Sequence, residues 1–156
     1  MANEIVSGDE IEAWLADWLG TDSELTGLIG ARVYPIFLPS LESLPAVTYR
    51  RTGTQRQAHM AGAAGITTAS FELRCWASSD QRGYLTACRV ARVIRLKVDG
   101  LQTATSARHY VRRALLTAEY DDNAELPRID DEVLALCRVL MVDVAYAEVT
   151  RNAIGG

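Results

Sequence analysis

"ITTASFELRCWAS", residues 66–78, is the stretch that decides the fold class of this sequence. Apolar and polar side chains alternate along it, which is the period of a β-strand with one face toward a core. We expect the apolar side chains to face the core and the side chains that alternate with them to be polar except for Trp76. The two series are Ala69, Phe71, Leu73, Cys75 and Ala77, and Ser70, Glu72, Arg74 and Trp76.

The residues after this strand change to helical spacing. In residues 78–100, "SSDQRGYLTACRVARVIRLKVDG", apolar side chains recur every three or four positions, and most basic ones fall outside that stripe. Ser79 or Asp80 is the predicted N-cap, and Gly100 is the predicted stop. The predicted buried stripe is Tyr84, Ala87, Cys88, Ala91, Ile94 and Val98.

Two predicted helices and a connector rich in proline precede the strands. Residues 10–20, "EIEAWLADWLG", place apolar side chains on one helix face. Residues 22–30, "DSELTGLIG", predict a short second helix with Ser23 or Asp22 as its cap and Gly30 as its stop. Pro35, Pro39 and Pro45 then exclude regular structure between residues 33 and 44, because proline lacks an amide donor and disfavours helical geometry in the residue before it.

Another strand is predicted at residues 46–52, "AVTYRRT". A segment of a different kind separates it from the strand at residues 66–78. Residues 53–65, "GTQRQAHMAGAAG", are rich in Gly and Ala and show no periodicity. We therefore predict a long, mobile hairpin loop over residues 53–65.

Two further strands are predicted at residues 108–120 and 132–149, around the acidic connector "DDNAELPRIDD". The order of elements is helix, short helix, strand, strand, helix, strand, strand. This order predicts a single α+β domain over residues 1–156, with a mostly antiparallel β-sheet and helices packed on one face.

Composition restricts the class of protein. A chain of 156 residues can bury a core without disulfides, and a formal net charge of −4 argues against a general nucleic-acid binder. Its three cysteines are an odd number in apolar runs, which favours free thiols in a reducing compartment. We expect neither a signal peptide nor a bilayer-spanning segment, and therefore a soluble protein made in a cytoplasm.

The sequence shows no catalytic or metal-binding constellation. His59 and His109 have no nucleophile motif beside them, the cysteines lack the short spacing of zinc ligands, and no phosphate-binding loop is present. The carboxylates of the acidic connector have the chemistry of a magnesium site, but we interpret them as a solvated hairpin connector. We expect no cofactor and no metal.

Arginines concentrate in "YRRTGTQR" and "SARHYVRRA". On alternating strands some of them share a face, where they form either a basic patch for phosphates or ordinary cross-strand pairs. We favour pairing with carboxylates such as Glu72 and Glu119.

The order of these signals resembles a known family. An amphipathic N-terminal helix, "LTGLIGARVYPIFLP", "LPAVTYRRTGT", a variable Gly/Ala-rich segment, "ASFELRCWASSDQRGYLTACRVARVI" and a long final strand together resemble the tail-completion proteins of long-tailed bacteriophages. These are the tail terminator or tail-to-head joining proteins, and gene transfer agents carry similar ones. The positions that match are Gly30, Arg32, Val33, Tyr34 and Pro35; Leu44, Pro45, Val47, Tyr49 and Arg51; and Cys75, Trp76 and Ala77.

The resemblance implies a non-enzymatic structural protein of the virion. Such a protein forms a homohexameric ring on the head-proximal end of the tail tube, after assembly in the host cytoplasm. Its implied partners are further copies of itself, the tail tube protein and the head-closure or neck protein, while DNA passes through the channel without specific binding. The alternative function is a cytoplasmic α+β enzyme or small-ligand-binding domain.

A ring predicts two kinds of surface. An apolar connector stiffened by prolines loses little entropy on docking against a neighbouring subunit, whereas the alternative is that it folds back over its own sheet. A channel wall must not grip passing phosphates, which favours carboxylates there. The predicted subunit interface is Val33, Tyr34, Ile36, Phe37, Leu38, Arg51 and Arg113, and the predicted channel or rim residues are Asp121, Asp122 and Glu125.

Overall fold

The computed structural model describes residues 10–59, 62–101, 104–105, 109–122 and 126–148. In these ranges the chain forms three helices and eight strands, so the predicted α+β class is confirmed. The helices are α1 (Ile11–Thr21), α2 (Ser23–Ile29) and α3 (Gln81–Asp99). The strands are β1 (Val33–Pro35), β2 (Ala46–His59), β3 (Gly62–Ser78), β4 (Ala104–Thr105), β5 (His109–Asp121), β6 (Arg128–Ile129), β7 (Glu132–Val133) and β8 (Ala135–Glu148).

Six strands form one sheet in the order β1-β2-β3-β8-β5-β4, and β6 and β7 form a separate small hairpin. All pairs in the main sheet are antiparallel except β1 with β2, which is parallel. The strand predicted from its alternation is β3, which lies between β2 and β8. Phe71 lies opposite Val142, and Leu73 lies opposite Leu140, which brings apolar side chains of β3 and β8 onto one face.

The helices cover one face of this sheet, which we call the helix face. The apolar series of β3 is buried against α3, as the alternation predicts. Burial of these apolar side chains is the main stabilising contribution, at roughly 1.5–3 kcal/mol for each large one. The largest fully buried side chains are Phe71, Ile11, Leu15, Leu19, Leu25, Ile29, Leu73, Ile94, Leu140, Val47 and Val90.

The helix ends follow the predicted local signals. Asp22 caps α2 by accepting a hydrogen bond from the Leu25 amide at 3.0 Å, and Asp80 caps α3 by accepting one from the Gly83 amide at 2.6 Å. Gly100 is the C-cap of α3, as predicted. Among the described helices, none combines the length and the apolar character that crossing a bilayer requires.

The buried stripe of α3 differs from the predicted one at two positions. Ala87, Ala91, Ile94 and Val98 are buried as expected, but Tyr84 is exposed and Cys88 is half-buried. The hydroxyl of Tyr84 donates a 2.8 Å hydrogen bond to Asp121 at the end of β5, which holds the ring at the margin of the sheet. Gly83 and Val90 take the buried places instead.

The opposite face of the sheet, which we call the open face, is covered only in part. Trp76 forms a second apolar cluster with Ala135, Cys137 and Val139 of β8. Leu38, Leu44, Leu126 and Met141 pack against this cluster. The prediction that this face of β3 is polar except for Trp76 is correct in residue type, although Glu72 on the same face is buried.

The predicted hairpin loop over residues 53–65 is wrong in its secondary structure. β2 continues to His59 and β3 begins at Gly62, with Gly53 opposite Ser70 and Arg56 opposite Thr67. Backbone pairing needs no apolar alternation, so the missing periodicity did not exclude strands. Residues 60–61 lie outside the described part, and the mobility of the segment stays a prediction.

Candidate functional site

The proline-rich connector is held to the sheet by hydrogen bonds at its two ends. The guanidinium Nε of Arg32 donates to the Pro45 carbonyl at 2.8 Å, and the Val47 amide donates to the Arg32 carbonyl at 3.0 Å. Residues Val33–Pro35 form a short parallel edge strand against β2, where regular structure was predicted to be excluded. Proline is tolerated at the end of an edge strand, because its missing donor is not needed there.

Immediately after β1 the chain turns sharply at Ile36. The Ile36 amide donates to the Tyr49 carbonyl at 2.8 Å, and its φ of 66° is a left-handed conformation that strains a β-branched residue. The turn directs two apolar side chains outward, since Ile36 is exposed and Phe37 has 76% of its surface accessible. Strained, exposed positions of this kind occur where a side chain is presented for binding.

The structure divides the predicted interface residues of the connector into two groups. Val33 packs against the main core and Leu38 against the Trp76 cluster, so both partly fold back on their own sheet. Tyr34 is half-buried. Ile36 and Phe37 remain available to another molecule.

A groove of about 740 Å³ lies beside this turn on the open face. Its apolar lining comes from two segments of the chain, Ile36 to Leu38 and Leu126 with Pro127. Its floor is formed by Trp76 and by charged side chains of β2 and β3. The groove therefore offers apolar contact around a charged floor.

That floor is a chain of ion pairs. Glu72, with 4% of its surface exposed, accepts hydrogen bonds from Arg50 Nε at 2.8 Å and from Arg74 Nε at 2.5 Å. Arg74 also bonds to the carboxylate of Asp122. Burial by itself lowers the pKa of Arg74, but the bond to Asp122 and the nearby negative charges outweigh it and raise the pKa. These four side chains neutralise one another, and because Glu72 at their centre is buried we call them the buried ion-pair network, although Arg50 at its outer end is exposed.

Two of the three predicted channel or rim residues fall in the described part. Asp121 is exposed, with its carboxylate bonded to the Tyr84 hydroxyl and 3.5 Å from Arg138. Asp122 belongs to the buried ion-pair network and has 9% of its side chain exposed, so its expected place in a solvated connector is wrong. Glu125 lies outside the described residues. The assignment of these residues to a channel stays a prediction.

The two predicted interface arginines lie on opposite faces of the sheet. Arg51 is on the helix face, where it pairs with Glu12 of α1 at 2.6 Å and lies 6.0 Å from the centre of the Phe71 ring. Arg113 is exposed on the open face, opposite Ala145. The connector and Arg113 therefore lie on the open face of the sheet, whereas Arg51 lies on the helix face.

Carboxylate pairing, the favoured interpretation of the arginines, is confirmed for Arg50 with Glu72, whereas Glu119 pairs with arginines outside the two arginine-rich segments. Arg50 and Glu72 are directly opposite each other on β2 and β3. Glu119 pairs with Arg138 of β8 at 2.7 Å and with Arg95 of α3 at 3.0 Å. The Glu119 carboxylate thus ties α3 to the sheet.

Cys75 and Cys137 lack the properties of nucleophiles. Burial raises the pKa of the Cys75 thiol, and burial is also the main reason that the pKa of Cys137 rises to about 12. Thiols of this kind stay protonated at neutral pH and react slowly. Cys88 is half-buried, and its sulfur accepts a hydrogen bond from Arg138 at 3.2 Å. Nowhere in the described ranges do three or more His, Cys, Asp or Glu side chains come together as metal ligands.

Comparison with protein families decides the identity. The model of the family described as "Tail completion protein gp17" matches residues 13–153, which is nearly the whole chain. The chain belongs to this family. Tail completion proteins of this kind are structural proteins of phage tails, and the resemblance seen in the sequence is confirmed.

The tail completion fold also occurs among solved structures. A chain of the virion of a native gene transfer agent (GTA) particle matches with a TM-score of 0.60 and 19% sequence identity. The match covers 85% of this chain and 90% of that chain. At this identity the similarity shows a shared fold. No curated protein sequence matches the chain.

Two features of this tail completion protein were missed by sequence reasoning. The buried ion-pair network joins residues from separate strands, and only the register brings them together. The basic side chains of α3 were predicted only to lie outside its buried stripe, although the regular spacing of Arg and Leu on the outer face is visible in the sequence.

Proposed function

We propose that this tail completion protein forms a hexameric ring at the head-proximal end of a phage-type tail. The ring ends growth of the tail tube and joins the tail to the head-closure or neck protein. Family membership over residues 13–153 is the observation that carries the proposal. The fold shared with a chain of the gene transfer agent virion agrees with a place in such a particle.

The exposed turn of the connector supports an assembly role. Phe37 projects from a backbone fixed by the sheet, so little conformational entropy is lost when it docks. Exposed aromatic side chains on rigid segments are frequent anchors of protein interfaces. Ile36 and Phe37 are accordingly the interface residues of the connector, and Arg113 shares their face. Arg51 acts within the subunit, where it fixes α1 and thereby the shape of the ring.

In such a ring the channel passes DNA without binding it specifically. The net charge of −4 in each copy disfavours a tight grip on phosphate. Of the two described channel or rim candidates, Asp121 is the one kept in this proposal, because it is exposed whereas Asp122 is mostly buried beside Arg74. Assembly takes place in the host cytoplasm, and the ring stays in the virion.

The test uses tails that lack this protein, to which purified protein is added. We expect mass measurement to find a hexamer on one end of each wild-type tail, and electron microscopy to show heads joined there. Phe37→Ala should lower the fraction of joined particles about tenfold or more, as expected for loss of an anchoring aromatic. Tyr110→Ala is the matched control, since Tyr110 is an exposed aromatic at the other end of the sheet.

Two outcomes contradict this proposal. A stoichiometry on the tail other than six contradicts the hexameric ring. If heads join equally well with Phe37→Ala, the connector is not part of the interface. A monomer in dilute solution contradicts neither, because the tail tube can act as the template for assembly.

A further inference from the structure

The outer face of α3 carries a stripe of basic and apolar side chains. Arg82, Leu85, Arg89, Arg92 and Leu96 follow one another at intervals of three or four residues, which places them on one helix face. This α3 stripe points away from the sheet and is exposed along its length, with 58% of Leu85 accessible. It borders a shallow depression of about 700 Å³ near the start of the helix.

The arginines of the α3 stripe are not neutralised by the described part of their own chain. Arg82, Arg89 and Arg92 form no ion pair with any described carboxylate, whereas Arg95 on the inner side of the same helix pairs with Glu119. Asp80 borders the depression, but its carboxylate caps the helix. The stripe thus presents three unpaired positive charges around exposed leucine.

The small hairpin of β6 and β7 has the opposite character. Ile129, Asp130, Asp131 and Glu132 form its acidic tip, all of them are exposed, and Ile129 has 61% of its surface accessible. Asp130 and Asp131 both have positive φ, at 51° and 68°, which makes the turn tight. The tip offers three carboxylates and one aliphatic anchor, with Arg128 behind them at the base of the hairpin.

The two features lie on different sides of the subunit. The hairpin begins directly after Pro127, which lines the groove on the open face, while α3 covers the helix face. No hydrogen bond or ion pair of the described residues joins the acidic tip to the α3 stripe. Complementary patches on opposite sides of one chain are what a head-to-tail contact between successive copies requires, and such contacts close into rings.

We propose that the acidic tip of one copy docks on the α3 stripe of the next copy. Ile129 contacts Leu85, and the carboxylates of the tip pair with the arginines of the stripe. Arginine forms bidentate bonds to carboxylates, and such bonds are stronger where a contact excludes water. The inference rests on the proposed ring, because it adds two surfaces, besides the connector, through which successive subunits meet.

A charge-swap experiment tests this contact. The stripe variant carries Arg89→Glu and Arg92→Glu, so that its charge becomes negative. The tip variant carries Asp130→Asn, Asp131→Asn and Glu132→Lys, because asparagine tolerates positive φ and the tip becomes positive. Each variant alone faces a partner surface of like charge, whereas the chain that carries both sets restores attraction with the signs exchanged.

The readout is the number of copies bound per tail, measured by mass on tails that lack the protein. Each single variant should lower this occupancy about tenfold or more, and the combined variant should recover to within about threefold of wild type. Asp17→Lys, an exposed reversal on α1 outside both surfaces, is the control and should bind as wild type. If the stripe variant melts at a lower temperature, Arg89→Gln with Arg92→Gln replaces it and must also lower occupancy.

The results separate this inference from the proposed function. A wild-type chain that forms no ring on tails contradicts the ring itself. A ring that tolerates both reversals, or that the combined variant fails to restore, overturns the docking contact alone. Rings that persist in the stripe variant but detach whole from the tube assign the stripe to the tube protein and also overturn it.

Discussion

Glu72 is the most deeply buried charged residue in the described part of the chain. Its carboxylate is acceptable there because Arg50 and Arg74 donate to both of its oxygens. Taking a charge out of water is costly, and the cost is offset only where hydrogen-bonding partners surround it. The network also ties β2 to β3 in the groove that Phe37 lines.

We predict that Glu72→Gln lowers the free energy of unfolding by about 1.5–3 kcal/mol, the range for losing a hydrogen bond to a charged group. The loss is limited because Arg74 keeps Asp122 and Arg50 can hydrate. Urea denaturation measures the effect. The control is Glu12→Gln, which removes a more exposed pair with Arg51 and should cost about 1 kcal/mol or less. Equal losses in the two variants would show that burial of the network adds nothing to the free energy of unfolding.

At the scale of elements, the turn from β3 into α3 fixes the helix that carries the α3 stripe. Gly83 lies in the first turn of α3 against the end of β3, and a Cβ there would be 1.9 Å from the Ser78 carbonyl oxygen. Its amide is also the donor to the Asp80 cap. A glycine is therefore required by close approach, although its backbone is helical.

We expect Gly83→Ala to lower the free energy of unfolding by about 1–3 kcal/mol, because the turn must shift to admit the methyl group. Gly27→Ala in α2 is the matched control, since nothing lies within 4 Å of a Cβ at Gly27. That change should raise stability by about 0.5–1 kcal/mol through the lower entropy of the unfolded chain. Thermal melting distinguishes the two, and a stable Gly83→Ala variant would contradict the close approach.

At the scale of the whole molecule, the β2–β3 hairpin reaches beyond the sheet. β3 pairs with β8 from Thr67 to Ser78, whereas Ala63 and Gly62 pair only with β2 among the described strands. A two-stranded ribbon is marginally stable by itself. We therefore predict that the end of this hairpin is an arm that gains order from contact with another subunit or with the tube.

Amide hydrogen exchange tests this arm. In the free protein the amides of residues 62–66 should exchange fast, and on assembled tails they should slow by about tenfold or more as contacts suppress local opening. The amides of Phe71 and Leu73 are the internal control, because they lie in the central strand and should exchange slowly in both states. If the arm is equally protected in the free and assembled protein, it has no role in assembly.

The sequence alone determined the features that depend on neighbouring residues. Alternation along β3 and the stop at Gly100 were correctly predicted, and each helix cap was narrowed to two neighbouring residues of which Asp22 and Asp80 are the ones used, because each feature is set by side chains within a few positions. The order of motifs also sufficed for the family, which the match over residues 13–153 confirms.

Only the tertiary structure decided which side chains are neutralised and which remain exposed. Glu72 and Asp122 meet at Arg74 although one follows the other by fifty residues in the chain, so no local pattern distinguished Asp122 from the exposed Asp121. The hairpin over residues 53–65 likewise depends on pairing between strands, which leaves no period in one strand alone. Burial of a charge and pairing of a strand are properties of contacts between distant segments, and those contacts exist only once the chain has folded.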